Sequence, residues 1–448
     1  MLSNGEFIPN KIKTIKIKTL GCRLNRSESD SIGELLHKQG YDLVNSDSSA
    51  DLTIINSCSV TRQAAAKTRA EVTAARKSSP DGKVAVVGCY AQELGDELLN
   101  QDGVDLVLGN INKYSISEYF EELEIGKKLS QVKNINQMDW SKDGCSTFLN
   151  DSTIPDSSRT RANLKIQEGC DYYCSYCIIP YLRGSSRSRK FDSCIQEAQG
   201  LEETGYKEIV LTGINIGTYQ DKGRNLVDLI QSLLAKTNLD RIRISSIEPD
   251  LVSDELIQLM KNEKRLCRHL HIPLQHGSDK ILKKMNRRYI VEEYRNLVDK
   301  IADSIPEICL GTDIMTGFPG EGDREFEEMY KNLKAMPVVH YHVFRYSPRE
   351  GTRAYDFPDQ VHSRTAKQRA KLLRKLGASK KESFVAEYEG QNVEVLAEQF
   401  NKNNILTGYT ENFIRVKFKG KQEDVNRIKT IAIKERNGEQ LAGEKTGE

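Results

Sequence analysis

The chain has 448 residues, and its 66 Lys and Arg against 64 Asp and Glu leave a net charge of +2, which excludes overall charge as a reason to bind nucleic acid. Its 38% hydrophobic and 29% charged residues are an ordinary globular mixture, and no run of 18 apolar residues occurs, which excludes a membrane-spanning helix. No apolar leader with a cleavage site opens the sequence, so a cytoplasmic protein is expected. In that compartment ten cysteines argue for metal binding or catalysis rather than a disulfide framework.

Residues 12–130 alternate strand and helix. Candidate strands Thr14–Leu20, Asp51–Asn56, Lys83–Val87 and Val104–Leu108 are separated by helical stretches near Ser27–Lys38, closed by Gly40, near Thr61–Lys77 and near Gln92–Leu99. That spacing predicts a parallel α/β domain, flavodoxin-like or Rossmann-like. Residues 131–159 are polar and turn-rich and read as a linker. Residues 160–384 resume the alternation, with strands Asn163–Gln167, Glu208–Leu211, Arg241–Ser245, His269–Leu274, Ile308–Met315 and Val339–Tyr346, and a long basic helix near Ser363–Phe384. Six such units are too few for an eight-unit barrel, so a partial (βα)6 TIM-like barrel is predicted. In residues 385–448, FVAEYEG, QNVEVLAEQ, ILTGYT, FIRVKF and RIKTIAIKE read as five short strands of a small OB-like β-barrel. The fold class is therefore multidomain α/β.

Cys170, Cys174 and Cys177 form C-x3-C-x2-C just after a predicted strand. Three thiolates so close suit a 4Fe–4S cluster, and three ligands for four irons leave one iron open to a substrate. Structural zinc wants four ligands, and no histidine lies near this motif. Cys22, Cys58 and Cys89 each follow a predicted strand, in TLGC, INSC and VVGC. Neighbouring βαβ units bring such positions to one edge of a parallel sheet, where ligands bind, so a second cluster is expected there. For any one of the three, burial as a small hydrophobe is the alternative. Cys145, Cys194, Cys267 and Cys309 fit no pattern and read as structural thiols.

The C-x3-C-x-(aromatic)-C motif at the head of a partial barrel resembles the radical S-adenosylmethionine (SAM) superfamily. The resemblance implies that the cluster on Cys170, Cys174 and Cys177 binds SAM. It places Tyr176 near the adenine, and Gly213, Ser246 and Glu248 as further cofactor contacts at strand ends. TLGCRLNRSES, VGCYAQ, HIPLQ, KMNRRY and GTDIMTGFPGE, with the order α/β domain, radical domain and small barrel (the TRAM domain), resemble the methylthiotransferases over nearly the whole chain. His276 stands where a small residue is expected. TLGCRLNRSES, CIIPYLRG and GYTEN are most similar to the branch that acts on N6-threonylcarbamoyladenosine at position 37 of tRNA. Other branches act on isopentenyladenosine in tRNA or on an aspartate of a ribosomal protein.

The resemblance implies two 4Fe–4S clusters, SAM, tRNA as partner, a low-potential electron donor of flavodoxin or ferredoxin type, and a sulfur source. A 5′-deoxyadenosyl radical would take hydrogen from carbon 2 of the purine, and the cluster on Cys22, Cys58 and Cys89 would present sulfur. A non-enzymatic iron–sulfur RNA-binding sensor is the rival from another class; it leaves the open iron and the partial barrel unexplained. Basic residues offer candidate RNA contacts: Arg183, Arg187, Arg189 and Lys190, and a second stripe on the long helix from Arg364 to Lys381. A solvated helix face is the bland reading of that stripe.

Overall fold

The computed structural model describes residues 12–45, 47–135, 138 and 160–446; Cys145 and most of the 131–159 linker lie outside them. The chain divides into two compact units. One comprises Met1–Pro155 with Ile178–Ser185, and the other Asp156–Cys177 with Ser186–Glu448. Residues 178–185 thus group with the first unit, although by sequence they fall inside the second strand–helix segment.

The first unit is a parallel sheet of β1 (Thr14–Thr19), β2 (Asp42–Leu43), β3 (Leu52–Ser57), β4 (Lys83–Gly88), β5 (Leu106–Leu108) and β6 (Leu129–Gln131), in the order β2-β1-β3-β4-β5-β6. This is the flavodoxin-like order, with its switch point between β1 and β3. Strand β3 is buried along its whole length, as a central parallel strand must be. Its successive residues serve opposite faces: Ile54 packs with Ile15, Leu36 and Phe120, and Ile55 with Val72, Val86 and Val107. The first helix starts at Arg23, four residues earlier than the sequence suggested, with Cys22 as its extended N-cap. Leu24, Asn25 and Ser27 are all buried in this helix.

In the second unit β7 (Arg161–Lys165), β8 (Glu208–Thr212), β9 (Arg241–Ile244), β10 (His269–His271), β11 (Cys309–Thr316) and β12 (His340–Arg345) are parallel neighbours in chain order. Two three-stranded sheets, β9-β8-β7 and β10-β11-β12, are joined by the Ile242↔Leu266 and Ser246↔His271 bridges, which makes the partial barrel. The helix Ser363–Ala386 leads into a closed five-stranded barrel of Asn392–Phe400, Ile405–Tyr409, Arg415–Lys419, Ile428–Asn437 and Gln440–Lys445. FVAEYEG is therefore not a strand. Phe384 and Val385 in the last helical turn and Tyr388 just after it turn their side chains into the small barrel's core, and Gln440–Lys445 supplies the fifth strand.

The small barrel is built onto the amino ends of the six parallel strands. Arg241 donates to the carbonyls of Tyr409 and Glu394, both at 3.0 Å, and Arg243 to that of Glu411 at 2.8 Å. Phe413 lies against the His269 and His340 rings, at centroid separations of 5.0 and 6.4 Å. Beneath this turn Arg243 and Glu208 form an ion pair at 2.6 Å, with both side chains at most 1% exposed. The amino end of the partial barrel is thereby occupied, and the carboxyl end remains for chemistry. Among the described residues no helix is long and apolar enough to cross a membrane.

Candidate cluster and cofactor sites

In the first unit Cys22, Cys58 and Cys89 follow β1, β3 and β4, and the structure brings them together. Gly21 has φ +98°, and a Cβ there would lie 2.6 Å from the Cys58 Cβ and 2.9 Å from its sulfur. A glycine is required at this close approach. Asn25 ties the loops: its Nδ2 donates to the carbonyls of Leu20 at 2.8 Å and Ser57 at 2.9 Å. Ser57 Oγ in turn donates to the Val87 carbonyl at 2.6 Å. Cys58 and Cys89 are buried and Cys22 is exposed.

Arg183 completes this site. Its Nε donates to the Cys89 sulfur at 3.2 Å, Nη1 to Glu28 at 2.8 Å and Nη2 to Asn25 Oδ1 at 2.9 Å. Lys113 reaches the other Glu28 oxygen at 2.6 Å, and the side chains of all three charged residues are at most 1% exposed. Desolvation raises the buried Cys58 thiol to about 11; the neighbouring sulfurs add to it and the Arg183 charge opposes it. Adjacent thiols with raised pKa release their protons when a cation takes their place, which is the chemistry of a metal or iron–sulfur site. The donor set fits a cluster held by three thiolates.

In the second unit Cys170, Cys174 and Cys177 lie half-buried on the loop after β7, with burial raising Cys170 to about 11. The stretch Lys284–Arg288, noted in the sequence only as a motif, fastens this loop. Ser175 N–H donates to the Met285 carbonyl at 3.0 Å, Asn286 Nδ2 to the Tyr173 carbonyl at 3.1 Å, and Arg288 to the Asp171 carbonyl at 3.0 Å. Arg287, which the sequence did not single out, donates to the Cys174 sulfur at 3.2 Å and pairs with Glu248. Burial raises the Glu248 carboxyl and Arg287 opposes that shift. Glu248 thus stands at the expected strand end, engaged with Arg287, and Ser246 is exposed beside it. Tyr176 packs edge-on against Phe318 at 6.4 Å.

Gly213 lets the turn after β8 close on Gln167: a Cβ would lie 2.9 Å from the Gln167 Oε1 that accepts from Ile214 and Asn215 N–H. Among the described residues, the side-chain oxygen and nitrogen of Asn215 and Oε1 of Gln275 are buried without a hydrogen-bond partner. Buried amides left open at the carboxyl ends of β8 and β10 fit a polar cofactor beside the three thiols. Nearby, His271 Nε2 and His342 Nδ1 lie 3.1 and 3.4 Å from one Asp313 oxygen. Burial would raise Asp313, but the two histidine hydrogen bonds hold it well below the usual range.

Three of the four RNA candidates after the first motif are corrected. Arg183 is committed to Cys89 and Glu28, Arg189 pairs with buried Glu197, and Arg187 is buried. Lys190 is exposed. On the long helix Arg369 turns inward to Glu321 and Asp323, and Lys381 to the Cys309 sulfur, whereas Arg364, Lys367, Lys371 and Arg374 stay exposed. His276 is buried against Glu321 at 3.2 Å. Cys194, Cys267 and Cys309 are buried.

A family model described as the radical SAM superfamily matches residues 164–333, and one described as uncharacterized protein family UPF0004 matches residues 14–109. The threonylcarbamoyladenosine tRNA methylthiotransferase MtaB of Bacillus subtilis is 35% identical over 94% of this chain and 93% of its own length. The tRNA-2-methylthio-N(6)-dimethylallyladenosine synthase of the same organism is 35% identical over 96% and 86%. Among solved structures, the radical SAM methyltransferase TsrM from Kitasatospora setae shares the fold at a TM-score of 0.57 and 14% identity, over 77% of each chain.

Proposed function

The chain belongs to the radical SAM methylthiotransferase family, and from that membership we propose that it transfers a methylthio group to carbon 2 of N6-threonylcarbamoyladenosine at position 37 of tRNA, in the cytoplasm. The observation that carries this reading is the pair of three-thiol sites in one chain, each at the carboxyl ends of parallel strands. Cys170, Cys174 and Cys177 would hold the 4Fe–4S cluster that binds SAM, and Cys22, Cys58 and Cys89 the auxiliary one. When bound, these groups supply one-electron cleavage of SAM, hydrogen abstraction from an unactivated carbon, and sulfur, none of which side chains provide.

The chain's own residues position and enclose. Arg287 and the Lys284–Arg288 stretch hold the cysteine loop, Asn215 and Gln275 offer open hydrogen bonds to the cofactor, and Tyr176 would pack near its adenine. Gly213, Ser246 and Glu248 line the same strand ends. Lys190 and the exposed Arg364, Lys367, Lys371 and Arg374, at helical spacing, support contact with tRNA phosphates. An electron donor of flavodoxin or ferredoxin type and a sulfur source complete the turnover.

The equal identity to a dimethylallyladenosine synthase favours a second reading, methylthiolation of isopentenyladenosine in tRNA. Nucleoside mass spectrometry of tRNA from a strain lacking the chain separates the two. Loss of 2-methylthio-N6-threonylcarbamoyladenosine supports the first, loss of the isopentenyl product the second, and loss of neither sinks both.

A further inference from the structure

Arg183 is held on three sides: Cys89 takes its Nε–H, Glu28 accepts from Nη1 and Nη2, and Asn25 accepts from Nη2. A planar guanidinium engaged in this way has no rotational freedom left, so its Nε–H stays aimed at the Cys89 sulfur. Glu28 also pairs with Lys113 at 2.6 Å, and this trio is buried, so the guanidinium charge is presented to the Cys89 sulfur out of water, where electrostatic interactions are stronger. The second three-thiol site repeats the N–H···S contact. There Arg287 donates to the Cys174 sulfur, also at 3.2 Å, and pairs one to one with Glu248.

We propose that Arg183 is a positioning residue of the auxiliary site, which fixes the Cys89 thiolate and raises the reduction potential of a cluster held there. Positive charge and N–H···S hydrogen bonds beside ligating sulfurs stabilise the reduced, more negative form. The inference rests on the reading that Cys22, Cys58 and Cys89 hold a cluster.

The test uses the full chain carrying Cys170→Ala, Cys174→Ala and Cys177→Ala, reconstituted anaerobically so that only the auxiliary site can load. Iron is counted first, and the one-electron midpoint is then measured by redox titration followed by electron paramagnetic resonance. Arg183→Gln should make reduction about tenfold less favourable, a fall of about 59 mV for one electron. Arg183→Lys, which keeps the charge and loses the fork, should recover at least half of that shift. Glu28→Gln should move the midpoint the opposite way, because it removes the negative member of the trio. Opposite shifts of that kind support the role. Midpoints within twofold of the parent, about 18 mV, in both glutamine variants overturn it. Should Arg183→Gln retain no iron, the Glu28→Gln arm decides by the same threshold. Absence of iron in the parent overturns the cluster reading itself, a result distinct from an unmoved potential.

Discussion

Gly21→Ala probes the spacing of the auxiliary ligands most directly. The new Cβ would stand 2.6 Å from the Cys58 Cβ and 2.9 Å from its sulfur. Non-bonded carbons rest at about 3.5–4.0 Å, so Cys58 or the turn before Cys22 must move by roughly 1 Å. Metal–ligand distances tolerate about 0.2 Å, a fraction of that displacement. Alanine at φ +98° adds about 1–2 kcal/mol of backbone strain. Two of three thiols are disturbed together, since Gly21 precedes Cys22 and touches Cys58. Iron in the reconstituted variant should fall to about half that of the wild type, with SAM cleavage retained. Methylthiolated nucleoside should fall about 100-fold, the cost of a misplacement of that size. Iron and sulfide per chain, 5′-deoxyadenosine release and product mass measure these separately. A folded variant with wild-type iron and wild-type product would refute the reasoning.

Cys174→Ala should abolish 5′-deoxyadenosine formation while leaving the iron of the first unit in place; residual cleavage of SAM with dithionite would show that the radical site lies elsewhere. Arg243→Met takes from the buried Glu208 carboxylate its 2.6 Å partner and leaves Arg241 at 3.9 Å, a loss of up to about 3–5 kcal/mol in urea unfolding, and adding Glu208→Leu should recover most of it. A double variant no more stable than the single one counts against that account. Burial holds His340 down to about 3, so its neutral form favours the folded state. This contribution is complete above the unfolded value of about 6.5 and is lost as the pH falls from there towards 3, at up to about 1.4 kcal/mol per pH unit. His340→Phe should therefore flatten the stability curve below about pH 6.5; an unaltered slope would mean that the ring does not titrate on unfolding.

The parallel strands were legible because they are short runs rich in β-branched residues, continuous or alternating, bounded by turns, a local signal. Cys22, Cys58 and Cys89 could be grouped for the same reason, since each sits just past such a run, and Cys170, Cys174 and Cys177 by their spacing alone. What sequence could not convey was the direction in which charged side chains face. Arg183 follows the cysteine motif among other basic residues and read as a phosphate contact, yet its partner Glu28 lies 155 positions away. Arg287 was hidden in the same way inside a recognised motif. FVAEYEG has the aromatic and β-branched composition of a strand, but Phe384 lies in the last helical turn and Tyr388 in the turn that follows, where their rings meet at 5.6 Å. Gln440–Lys445, with Ala442 and Gly443 at its middle, lacks strand propensity; closure of the barrel places it there.

The grouping of Ile178–Ser185 with the first unit governs how this protein can be taken apart. A fragment ending at Pro155 would omit Ile178 and Leu182, which pack against Cys89, and would leave Glu28 without Arg183. Such a piece would carry an apolar hole beside its thiols and lose the N–H donor to the Cys89 sulfur, and low iron in it would say nothing of the intact site. The complementary piece, run without a break from residue 156, would expose the same eight residues with nothing to cover them. Expression of either half as a working module therefore needs re-engineered connectivity, with 178–185 grafted onto the first unit and the gap from Cys177 to Ser186 bridged in the second.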